Sequence, residues 1–73
     1  MPSPQRQARI ATMRDHVKSH ISMLTEELNI FFDCPVGIVA EKSYFEAIED
    51  KLCELAEYKG MLETIETEFD NGK

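Results

Sequence analysis

Ile10, Met13, Val17, Ile21, Leu24, Leu28 and Phe31 recur at steps of three or four through the first half of the chain. On a helix that spacing draws one apolar stripe down one side, with polar residues filling the rest. Neither Gly nor Pro interrupts the run. Ser3-Pro4 offers a start, because a Ser side chain can accept from an orphan N–H of the first turn and Pro fits the first helical position. The pattern predicts a helix over about 4–32, some 43 Å long at 1.5 Å per residue. In the second half, Tyr44, Ile48, Leu55, Leu62 and Phe69 form the centre of a second stripe, flanked by Phe45, Leu52, Tyr58 and Ile65. This predicts a helix over about 43–70, opened by the Ser43-Tyr44-Phe45-Glu46 capping box and stopped at Asn71-Gly72.

Between them lies Phe31-Phe32-Asp33-Cys34-Pro35-Val36-Gly37-Ile38-Val39, the only interior place with both Pro and Gly. Pro is badly tolerated inside a helix, so a bend over about 33–42 is expected. A connection of that length is long for paired helices. The alternative starts a helical turn at Ile38 and leaves Ser43 internal. Matched lengths and one bend imply an all-α fold, a single antiparallel helical hairpin. A chain of 73 residues buries a modest fraction of its surface, and one seam between two helices is a thin core. The hairpin is therefore expected to assemble with itself as a homo-oligomer, most simply a dimer, in a helical bundle.

Charge sharpens this picture. Residues 1–32 carry a net +1, with Arg6, Arg9, Arg14 and Lys18 clustered early, whereas residues 33–73 carry −7, which together give −6. An antiparallel pairing sets those bases beside Glu63, Glu66, Glu68 and Asp70. Strong overall acidity argues against general affinity for nucleic acid, whose phosphates call for Lys and Arg. It suits a protein that meets a basic surface. No run of about 18 apolar residues offers a membrane span, and the opening Met-Pro-Ser-Pro-Gln-Arg lacks the apolar core of a secretory signal. A cytoplasmic location, in a bacterial or host cell, is expected. Cys34 and Cys53 are expected to be reduced thiols, since they sit too far apart to bridge within one hairpin.

No residue set carries a catalytic, metal or cofactor signature. His16 and His20 share a helix face, but zinc takes three or four protein ligands. Glu46, Glu49, Asp50, Glu54, Glu57 and Glu63 line the second helix without the Glu-x-x-His repeat of a di-iron bundle, and read as a solvated acidic face. There is no Gly-rich phosphate loop, and nothing marks a nucleophile. Cys53, Ala56 and Gly60 are small residues three or four apart, the kind of spacing that lets another backbone approach closely, and are assigned to an oligomer interface. Phe32 and Val36 are apolar residues in or beside a connection, where apolar surface tends to mark interaction. Together with Glu49, Glu54 and Glu57 they are the expected partner-binding residues.

The expectation for function is accordingly a non-enzymatic, acidic protein-interaction module. It would be a regulator or inhibitor that binds the basic, nucleic-acid-binding surface of a partner protein. Small size and acidity are shared with phage-encoded inhibitors of host nucleic-acid enzymes, which is the ground for expecting a phage origin. The alternatives are a nucleic-acid-binding regulator that uses the basic half of the first helix, and a purely structural subunit of a helical assembly.

Overall fold

The computed structural model describes residues 3–33 and 42–69. Helix α1 spans Pro4–Phe32 and helix α2 spans Lys42–Thr64. Ile65–Phe69 continue α2 as a π-helical turn, and the described residues contain no strand.

Local chemistry sets the start of α1. Ser3 is the N-cap with extended backbone, Pro4 stands in the first turn, and the Ser3 hydroxyl accepts from the Arg6 N–H at 3.1 Å. At the far end the Asp33 N–H donates to the Asn29 carbonyl at 3.0 Å, which closes the last turn. Helix α2 already includes Ser43, so the capping-box hydroxyl lies inside the first turn rather than ahead of it. Of the bend expected over about 33–42, Asp33 is a turn residue and Lys42 already belongs to α2, while residues 34–41, including Cys34 and Val36, lie outside the described residues.

The two helices pack antiparallel. Glu27 meets Lys51, His20 meets Tyr58 and Arg6 meets Phe69, so the partner number rises as the α1 number falls. The result is a rod of 57 × 14 × 14 Å with a radius of gyration of 16.6 Å. A compact domain of this length would have a radius near 11 Å. Only Val17, Leu24, Leu28 and Ile48 are buried among the described residues. Ile10, Ile21, Phe31, Tyr44, Leu55, Leu62 and Ile65 are half-buried along the same seam.

Four residues of the two stripes and their flanks behave differently from the rest. Met13, Phe69 and the flanking Phe45 and Leu52 are each about half exposed. Phe45 and Leu52 lie beside the seam rather than on it. Met13 and Phe69 lie near the open end. There the Thr64 and Thr67 hydroxyls donate to the Gly60 and Glu63 carbonyls at 2.9 Å, a back-bonding that competes with the regular ladder and bends helices. The π turn that follows replaces i→i+4 bonding with i→i+5 bonding. It leaves Phe69 on a groove wall with Ile65, Arg9, Ile10 and Met13, not enclosed in the seam.

Candidate functional site

The outward side of α2 is acidic by construction. At about 100° per residue, Glu46, Asp50, Glu54 and Glu57 all fall on the side of the helix opposite buried Ile48. All four are exposed, and they extend over roughly 16 Å of helix axis. Glu46 is held by Lys42 one turn earlier at 3.8 Å, an exposed pair. Glu54 and Glu57 thus belong to one surface, and Asp50 and Glu46 join it. Those two were open to recognition from the four-residue steps Glu46, Asp50, Glu54.

Glu49 does not share that surface. It is turned about 100° from Ile48 and lies on a flank of α2 with Phe45, Leu52 and Ala56. Cys53 and Gly60 border the same flank, and all of these residues are exposed. A Cβ placed on Gly60 would have nothing within 4 Å, so the chain's own α1 does not cross closely there. The small residues, expected at an oligomer interface, are thus left open by the hairpin itself. Phe32 ends α1 on the same side as Phe45, and is 61% exposed. Its neighbour Phe31 turns inward to meet the Tyr44 ring edge-on at 5.4 Å.

The opposite side of the hairpin is occupied by packing chemistry. The His20 ring stacks on Tyr58 at 4.6 Å and 5°, while His16 meets His20 edge-on at the same distance. Both imidazoles thus engage rings. Among the described residues no group of three or more His, Cys, Asp or Glu side chains is placed to hold a metal ion. Lys51 donates to Glu27 at 2.8 Å and lies 5.8 Å from the centre of the Phe31 ring.

The basic cluster of α1 is spread around the helix rather than gathered on one face. Arg6 stands over the Phe69 ring at 6.0 Å, Arg9 lines the groove beside it, and Arg14 is half-buried. The groove holds about 240 Å³ between Arg9, Ile10, Met13, Ile65 and Phe69. It continues past Met13 and Ile65 into a further hollow of about 340 Å³ bordered by Val17, Met61 and Thr64. Both open to solvent at the end of the rod away from the bend. No helix among the described residues is long and apolar enough to cross a membrane. No protein-family model, no curated protein and no solved structure matches the chain.

Proposed function

We propose that this chain is a non-enzymatic interaction module that self-assembles through its helices and binds the basic, nucleic-acid-binding surface of a partner protein. The acidic outer face of α2 is the contact, with Phe32 and Val36 at the bend adding apolar area. Binding there would exclude nucleic acid from the partner, which makes the chain a regulator or inhibitor. A phage protein acting in the cytoplasm of its host is the setting this reading implies.

One observation carries the reading. Glu46, Asp50, Glu54 and Glu57 present a row of exposed carboxylates on the side of α2 that the hairpin does not use. Such a row offers negative charge at regular spacing along a rigid rod, as a nucleic-acid backbone does, and steers a basic partner toward it. The dispersed arginines of α1 do not favour the alternative reading, because backbone contacts with nucleic acid call for grouped, accessible cations.

The test is capture from host extract followed by mass spectrometry, with charge reversal as the control. A nucleic-acid-binding protein should be retained, and it should be released by raised salt, which screens exposed charges. Asp50→Lys, Glu54→Lys and Glu57→Lys together should abolish retention. If the triple variant holds the same protein as tightly, the acidic face is not the contact. If RNA or DNA is retained instead, and is lost on Arg6→Glu with Arg9→Glu, the chain binds nucleic acid itself.

A further inference from the structure

The flank of α2 beside the seam is complementary to itself when run in the opposite direction. Lys42, Phe45, Glu49, Leu52, Ala56, Lys59 and Glu63 step by three and four along one side of the helix. That is the heptad spacing of a second helix-packing seam, distinct from the one already filled by α1. Phe45 and Leu52 are 49% and 45% exposed, far more than Ile48 on the filled seam at 7%. Beside Lys59 sits Gly60, above which there is open space.

Direction decides the fit. Set two copies of this flank parallel and in register, and Lys42, Glu49, Lys59 and Glu63 each face their own like. Set them antiparallel about a two-fold axis beside Leu52 and Cys53, and the charges pair oppositely. Lys42 then stands by Glu63 of the second copy, and Glu49 lies within a turn of Lys59 of the second copy. Each pair occurs twice, as an isologous interface requires. The large residues find small ones as well. Phe45 enters the hole framed by Ala56, Lys59, Gly60 and Glu63 of the second copy, where the missing glycine side chain leaves room for the ring. Leu52 packs across the axis against its own copy and Ala56.

The rod as a whole exposes more surface than a compact chain would. The chain exposes 5673 Å², roughly 1,000 Å² more than the ~4,600 Å² typical of a compact monomer of its mass. A standard interface buries about 800 Å² per partner.

From this we infer that the α2 flank docks on the same flank of a second copy, antiparallel, with Phe45 seated over Gly60. This rests on the self-assembly part of the proposed function and gives it a register. It leaves the acidic outer face of α2 free on both copies.

The test is sedimentation equilibrium of the full chain with its thiols reduced. The wild-type chain should be a dimer. Gly60→Leu fills the hole and should raise the dissociation constant at least about tenfold, in line with the cost of overpacking. It should not lower helicity by circular dichroism, since Leu is the better helix former, so loss of the dimer would not reflect unfolding. Glu49→Lys and Lys59→Glu should each weaken the dimer roughly threefold to tenfold, and the two together should restore it. A wild-type chain that stays monomeric at every soluble concentration overturns self-assembly and the register with it. A wild-type dimer that is indifferent to Gly60→Leu, or not restored by the paired charge exchange, overturns the register alone.

Discussion

The bend half and the open half of the hairpin are built from the same repeating pattern yet reach different degrees of closure. Toward the bend, Leu24, Leu28 and Ile48 are each at most 7% exposed. There the Phe31 and Tyr44 rings meet edge-on, and Lys51 ties Glu27 across the seam while covering Phe31. Past Val17, which is fully buried near the middle of the rod, Met13 is 50% and Phe69 48% exposed toward the open end, and a groove opens between the helices. The α1 stripe is equally regular in both halves, so periodicity does not account for the difference. What differs is the facing residue. Toward the bend α2 offers buried Ile48, whereas toward the open end its seam residues Leu62 and Ile65 are only half-buried and the helix passes into a π turn. An amphipathic stripe states which side of a helix seeks cover, and the opposing element decides how much cover it receives.

The sharpest way to break this comparison is to truncate one residue on each side of it. Leu28→Ala should cost about 2–5 kcal/mol in urea unfolding, the range for removing a buried Leu and leaving a cavity. Met13→Ala should cost about 1 kcal/mol or less, because much of its surface already meets water. Equal costs would mean that the open end is closed in solution, by a partner or by the second copy. Next in size is the stack at the middle of the rod. Tyr58→Leu keeps apolar volume but removes the ring on which His20 lies, and should cost about 0.5–1.5 kcal/mol, the worth of an aromatic pair beyond its area. A cost near zero would show that His20 is held by the helix alone. The smallest effect belongs to the ion pair of the bend half. Lys51 and Glu27 side chains are 24% and 45% exposed, so Lys51→Met should change stability by about 0–1 kcal/mol. A larger loss would point to the contact of Lys51 with Phe31, and a double substitution with Phe31→Leu would separate the two terms.

The same comparison bears on the surfaces used for binding. The acidic outer face and the Phe45–Gly60 flank are both on α2, on sides that α1 does not reach, and they are about a quarter of a turn apart or more. Sequence spacing alone grouped Glu49 with Glu54 and Glu57. On the helix, Glu49 is turned about 140° from Glu54, and it falls with Leu52 and Ala56 instead. Three carboxylates that look equivalent in the chain thus divide between two surfaces.

Helical character, and the pairing of two helices, were determined by the amino-acid sequence itself. Both follow from local terms: unbroken steps of three and four, a hydroxyl and a proline at Ser3-Pro4, and the gathering of Pro35 and Gly37 in one place. Such terms act between residues within a turn of each other, so they survive being read one residue at a time. The tertiary structure decided the rest. Whether Leu28 or Met13 becomes core depends on the residue facing it across the seam. Whether Gly60 marks a crossing depends on which helix passes there, and within this chain none does. Whether His20 is a ligand or a packing ring depends on Tyr58, 38 positions away. These outcomes turn on contacts between residues distant in sequence, and no periodicity along one helix carries the identity of its opposite number.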